Sequence, residues 1–336
     1  MKENKKNNLI IKNMNNIKKE CRLKFFPVSI FSIVFGLLGL TIVFEKLEKI
    51  WKSNESFSET LLLISTSTLV IFFLTYLAKI IFHFDEVKKE FNHPVKLAFF
   101  PALSVSFLLS SISFLEFRPD IAKILLWIGA TLQLIFTIKI ISLWINHPKF
   151  KLDHLNPAWF IPILGNVLVP ISAMYFGYTE ISLFFFSIGF WFWIIVMTLF
   201  FNRIIFHGQM AERFVPTLFI LISPPFIAFI AWSKISGGVD VFGKILYFFG
   251  LFLFMILLSQ AREFLKIRFY LSSWAYSFPI ASMTIATILM YRGTKIENYK
   301  YLAYVFTIFL FILIVILGQK TFKAIRKKEI CVEEDH

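Results

Sequence analysis

Charge is scarce in this chain: of 336 residues only 17% are Asp, Glu, Lys or Arg, against 57% hydrophobic. A soluble domain of that length cannot bury so much apolar surface, so a water-soluble globular protein is excluded. Cysteine is nearly absent. The two that occur, Cys21 and Cys331, fall in tails expected to be cytoplasmic, where thiols stay reduced, so no structural disulfide is expected. Glycine is also sparse, thirteen residues against forty-four Phe and eight Trp, which rules out a collagenous or disordered chain. His83, His93, His147, His154 and His207 lack the close Cys/His/carboxylate spacing of a zinc site and are read as loop residues. With no Gly-rich phosphate loop, metal triad or nucleophile–base pair in the sequence, neither enzyme chemistry nor a cofactor or metal is expected, and no nucleic-acid partner.

What is present is long apolar runs, too long for the strands of an outer-membrane barrel. At 1.5 Å per residue, a helix needs about 20 apolar residues to cross a bilayer core. Ten spans fit, near residues 25–45, 58–83, 97–116, 120–145, 157–177, 180–206, 213–233, 241–264, 270–291 and 298–322, and the fold class is an all-α integral membrane protein. A Lys- and Asn-rich stretch (Lys2, Lys5, Lys6, Lys12, Lys18, Lys19) precedes them and reads as a solvated tail without a cleavage site. The expected organisation is a basic tail at 1–24, a ten-helix domain at 25–322 and a C-terminal tail at 323–336. Leaving aside Lys79 and Lys139 within the spans, the side holding both termini carries 23 Lys and Arg and the other side 10, so the positive-inside rule puts both termini in the cytoplasm.

Proline divides the spans into two kinds. Odd-numbered spans hold nine of the twelve (Pro27; Pro101; Pro157, Pro162 and Pro170; Pro216, Pro224 and Pro225; Pro279), and even-numbered spans hold none. Proline removes a helix hydrogen bond, which a bilayer tolerates only where neighbours or a water-lined cavity re-satisfy the backbone. Kinked odd helices are therefore expected inside, with Pro27, Pro101, Pro162, Pro225 and Pro279 as kinks, and straight Phe- and Ile-rich even helices outside. A second regularity has the same period: Lys79, Lys139, Arg203, Arg262 and Lys320 sit at the cytoplasmic ends of the even spans. Five repeated hairpins, with five inner helices around a central pathway and five outer ones, account for both. The basic residues either snorkel to the interface or line a cytoplasmic vestibule.

The inner faces are small. Ser29, Ser32, Gly36 and Gly39 share one face of the first span, Ala102, Ser106, Ser110 and Ser113 of the third, and Ala275, Ser282 and Ala286 of the ninth. Such faces either pack helices closely or line a narrow pore. No odd span carries a charged residue or His in its central part, where a proton- or sodium-coupled carrier usually needs one. Hydroxyls and freed backbone amides can instead donate to an anion. Phe278 is the one bulky group on the small face of the ninth span, beside Pro279, and is placed to occlude the conduit.

Phe26-Pro27-Val28-Ser29, His93-Pro94-Val95-Lys96 with Phe99-Phe100-Pro101, Pro157-Ala158-Trp159-Phe160-Ile161-Pro162, the Pro216–Pro225 segment and Trp274-Ala275-Tyr276-Ser277-Phe278-Pro279 together resemble the tellurite-resistance/dicarboxylate transporter family, which includes bacterial TehA proteins and plant slow anion channels. The resemblance implies a homotrimer in a plasma membrane (the inner membrane of a bacterium), a pore within each subunit, and a gating phenylalanine matching Phe278. It also implies a small residue facing the gate, which falls at Ser32, where glycine is familiar. Two functions stay open: a gated channel for small inorganic anions such as nitrate and chloride, and a C4-dicarboxylate carrier or tellurite-resistance exporter.

Overall fold

The computed structural model describes residues 22–53, 56–148, 150–208 and 210–331; Cys21, the lysines up to Lys19 and residues 332–336 lie outside the described residues. Among the described residues ten helical spans are long and apolar enough to cross a membrane, running Val28–Trp51, Ser56–Phe82, Lys96–Phe114, Pro119–Asn146, Pro157–Phe176, Thr179–Phe206, Glu212–Ile235, Val241–Ser259, Leu271–Thr294 and Glu297–Arg326. These match the expected spans to within a few residues, and the chain is an all-α multi-pass membrane protein. The α-helices are α1 (Phe31–Trp51), α2 (Ser56–Phe82), the short α3 (Phe84–Asn92), α4 (Ala102–Phe114), α5 (Pro119–Asn146), α6 (Ile161–Ala173), α7 (Thr179–Phe206), α8 (Ser223–Ile235), α9 (Val241–Ser259), the short α10 (Ala261–Lys266), α11 (Ser277–Thr294) and α12 (Glu297–Arg326).

Burial separates the spans as the prolines imply. The odd spans, whose cores are α1, α4, α6, α8 and α11, are 72–83% buried over their apolar windows, the even spans only 22–39%. Each inner helix packs on the next, α1 on α4, α4 on α6, α6 on α8, α8 on α11, and α11 back on α1, which closes a ring of five. Each outer helix packs on the inner helix of its own hairpin. Its other face presents side chains such as Leu63, Ile71, Ile138, Trp191, Phe252 and Ile308 outward, a surface that only lipid or another apolar partner can cover.

The prolines act differently from the expected kinks. Every inner α-helix is preceded by a 3-10 segment: Val28–Ile30, Lys96–Phe99, Pro157–Phe160, Glu212–Ile222 and Leu271–Tyr276. Pro27 precedes the first segment and Pro101 caps α4, while Pro162, Pro224, Pro225 and Pro279 stand in the first turns of α6, α8 and α11. A first-turn N–H has no intrahelical acceptor, so proline costs no hydrogen bond there, and its fixed φ starts the helix. Only Pro170 lies inside an α-helix, near the end of α6. The prolines therefore mark where the chain changes helix type at the end of the bundle that carries both termini.

Two devices fix the hairpins. Glycines on the outer helices let an inner helix approach closely: a Cβ on Gly129 would meet Leu108 of α4, and one on Gly189 would meet Val167 and the Ile163 carbonyl of α6. A buried amide network ties α5 to the ring. Gln133 accepts from the Ser104 hydroxyl at 2.7 Å and donates to the Pro162 carbonyl at 2.7 Å, and Asn166 donates to the same carbonyl and to Thr137 at 2.9 Å. In hydrocarbon these groups have no water to turn to, so the network holds α4, α5 and α6 in one register.

Gly189→Ala should destabilise the protein by about 1–3 kcal/mol, because the contact includes backbone that cannot move aside. Gly318→Ala, where nothing stands within 4 Å, should be neutral or slightly stabilising. Thermal unfolding of the two variants in detergent tests the pair; equal midpoints would mean that the α6–α7 contact is loose.

Candidate functional site

The 3-10 segments leave a cavity of about 510 Å³ at the terminal end of the ring. Four of the five segments and all five inner helices contribute to its wall. Its inner end is formed by Ser32 and Phe35 of α1, Val105 of α4, Leu164 and Leu168 of α6, Ser223 of α8, and Phe278 and Pro279 of α11. That inner end is apolar apart from two hydroxyls, and the Ser223 hydroxyl, itself buried, has no hydrogen-bond partner.

Phe278 stands at this inner end, 9% exposed, with its ring edge-on to Phe35 at 5.8 Å between centroids. It also lies against Gly39, where a Cβ would sit 3.7 Å from the Phe278 ring. Phe35 is the residue sequence reasoning missed. It lies three positions after Ser32 on the same helix face, and that offset was the available signal.

The small faces divide along their length. Ser29, Ser32 and Ala275 line the cavity. Gly36 and Gly39 do not: a Cβ on Gly36 would meet the Ser277 side chain and Trp274, and one on Gly39 would meet Ala281 at 2.6 Å, so both are contact points between α1 and α11. Ser106 and Ser282 are buried and donate to carbonyls of their own helices, Ala102 and Pro279. Ser110 is buried with its hydroxyl unpartnered. On α4 it is Val105 that reaches the cavity.

The periodic basic residues also divide. Lys139, Arg262 and Lys320 are exposed on outer elements, as snorkelling requires. Lys79 is 1% exposed: its ammonium pairs with Glu90 of α3 at 2.9 Å and donates to the Phe26 carbonyl at 2.8 Å. Arg203 is buried too, and its guanidinium donates to the Leu152 and Asp153 carbonyls. Both fasten connecting segments to outer helices, Lys79 on α2 and Arg203 on α7. Around the mouth, Lys24, Lys79, Lys89, Lys96 and Arg213 stand against Glu86, Glu90 and Glu329. Lys89, hydrogen-bonded to Glu86, holds that carboxyl below the usual carboxylate range. The chain after α12 returns to the mouth through Glu329, Ile330 and Cys331, and burial pushes the Cys331 thiol up. Among the described residues no His, Cys, Asp and Glu gather in a group that could hold a metal ion.

A ring of five buried helices around a cavity whose inner end carries no charged side chain fits a membrane transport protein. The family model described as voltage-dependent anion channel (SLAC1) matches residues 25–322, and the chain belongs to that family. It is 27% identical to the tellurite resistance protein TehA homolog of Haemophilus influenzae, over 84% of this chain and 86% of that protein. It is 28% identical to the S-type anion channel SLAH2 of Arabidopsis thaliana, over 78% of this chain and 52% of that one, and 28% identical to the guard cell S-type anion channel SLAC1 of the same plant, over 78% and 49%. The chain thus spans about half the length of these plant relatives. Anion transport across a membrane is the activity these relationships support.

Removing the buried Lys79 ammonium leaves Glu90 and the Phe26 carbonyl without their cation, at a cost of about 3 kcal/mol. Lys79→Met should therefore cut amide-exchange protection in Phe84–Asn92 by about a hundredfold, whereas exposed Lys139→Met should leave it unchanged. Full protection in Lys79→Met would show that the pair does not hold α3 in place.

Proposed function

We propose that the chain is a gated channel for small monovalent anions such as nitrate and chloride, with a conduit along the axis of the five inner helices and Phe278 as its gate. The observation that carries this reading is the cavity that ends, without any charged side chain, on the Phe278 ring packed against Phe35. An uncharged constriction passes an ion only when the ring moves aside. The positive-inside bias puts the cavity and both termini in the cytoplasm, and residues 25–322 form the transport unit between two tails. As the family resemblance implies, the channel is a homotrimer with one conduit in each subunit.

Selectivity in this reading follows from dehydration. At the constriction an anion meets only hydroxyls such as those of Ser32 and Ser223, helix-end amides and apolar carbon, so the anion that loses its water most cheaply passes best. Phe278→Ala should raise anion current about tenfold or more, since each 1.4 kcal/mol removed from a barrier is a factor of ten. Bi-ionic reversal potentials in that variant should place nitrate and iodide above chloride, and malate last. Wild-type current in a well-expressed Phe278→Ala would put the gate elsewhere, and malate above nitrate would favour a dicarboxylate carrier.

The division of the small faces gives a second test. In a Cys21→Ser/Cys331→Ser background, Ser32→Cys and Ala275→Cys should react with a small charged thiol reagent added from the cavity side, and the adduct should lower the current. Ser106→Cys and Ser282→Cys should stay protected. Equal reactivity at all four positions would mean that the conduit does not follow the cavity wall.

A further inference from the structure

Opposite the cavity, the inner helices end in a second cluster of charge that the gate does not use. The far end of α1 contributes Glu45, Lys46 and Lys49, the turn after α4 contributes Glu116, α8 contributes Lys234, and α11 contributes Arg292. Glu45 is completely buried; one carboxylate oxygen lies 2.8 Å from the Lys46 ammonium and 3.7 Å from that of Lys49, and the other has no hydrogen-bond partner. Lys49 also pairs with Glu116 at 2.7 Å. Partial burial raises the Glu116 carboxyl, but Lys49 and Lys46 outweigh it and hold the group below the ordinary carboxylate range.

Lys234 and Arg292 are different. Neither makes an ion pair among the described residues, although Lys46, Glu116, Arg292 and Glu45 all act electrostatically on Lys234. Four cations therefore share one field with two carboxylates, and both carboxylates are engaged by Lys46 and Lys49. Next to Lys234 in sequence, the Ser233 hydroxyl is buried with no partner. Lys234 and Arg292 stand in the last turns of two neighbouring inner helices, so their like charges repel, and an anion between them relieves that repulsion.

We propose that this cluster is an anion-loading site at the second mouth of the conduit, where Lys234 and Arg292 attract a small inorganic anion while Glu45 and Glu116 keep Lys46 and Lys49 from collapsing onto it. The proposal takes its occupant from the anion-channel reading above. The surplus of positive charge favours capture. The buried Glu45 carboxylate, with one oxygen unpartnered, keeps binding weak enough for release, as conduction through successive sites requires.

Two measurements separate this site from the channel reading. In Phe278→Ala channels in bilayers at about 20 mM salt, Lys234→Gln/Arg292→Gln should lower anion current driven from the far mouth by about threefold, with a smaller change for current driven from the cavity mouth. The loss should vanish near 1 M salt, where the screening length is about 3 Å. Glu45→Gln should raise the same current at low salt, and Lys123→Gln, at the same end but on an outer helix, should change nothing. Equal currents in both directions for the double variant at low salt would overturn the site. Independently of conduction, bromide-soaked crystals of the protein with Phe278 intact should show an anomalous peak between Lys234 and Arg292 that the double variant lacks. No peak in the parent protein would also overturn the site, whereas a peak in a protein whose Phe278→Ala variant carries no anion current would keep the site and overturn the channel.

Discussion

The contact between α1 and α11 is the constraint on which the rest of the ring depends. These are the first and last inner helices, and the ring closes only if they meet. They meet at Gly36 and Gly39, where even a methyl group would run into Ser277 or Ala281. Van der Waals packing is the main force available between helices in lipid, so a seam without side chains on one partner gives the closest approach and the strongest contact. The same approach lays the Phe278 ring against Phe35 and over Gly39. Closing the ring and closing the proposed conduit would thus be one packing event, and a larger residue at position 36 or 39 would disturb both.

Much of the fold was legible because the bilayer allows so few solutions. Ten apolar runs of sufficient length have to be helices, and the sorting of proline into alternate runs separated the inner from the outer set before any contact was known. What proline could not convey was the geometry it serves. A kink in a continuous helix and a 3-10 segment feeding an α-helix place proline at similar positions, and the choice depends on tertiary packing of the lead-in, as in Glu212–Ile222, where eleven residues run as 3-10 helix. The Gln133–Asn166 network was also visible in principle, as two amides in the middle of apolar runs.

The site was legible in part, for a reason specific to helices. A spacing of three and four residues places Ser29, Ser32, Gly36 and Gly39 on one face, but says nothing of what that face meets along its length. Here it meets the cavity as far as Ser32 and a neighbouring helix from Gly36 onward. The basic residues mislead in the same way. A period of about 60 residues identifies the hairpin repeat, yet Lys79 and Arg203 are drawn inward by Glu90 and by loop carbonyls while Lys139, Arg262 and Lys320 stay at the surface. Glu45 escaped notice because it lies near the end of its span, where a carboxylate ordinarily reads as an interfacial residue.

The energetics of the proposed gate follow from one ring. Lifting Phe278 from Phe35 gives up an edge-to-face pair worth about 1 kcal/mol and uncovers apolar ring at about 2.5 kcal/mol for every ~100 Å². Each ~1.4 kcal/mol of that cost favours the closed arrangement over the open one by a factor of ten. A bias of that origin in the proposed gate is small enough for a modest input at the cavity mouth to reverse. Two segments border the mouth: α3, fastened by the Lys79–Glu90 pair, and the chain after α12, which returns to the cavity at Glu329–Cys331. Both sit on the 3-10 side of the ring, where each inner helix changes winding just before it reaches the gate. Ser277, which meets Gly36, and Phe278 are the first two residues of α11, so a shift that turned the ring aside would also work against the Gly36 contact, and opening the proposed conduit would strain the seam that closes the ring.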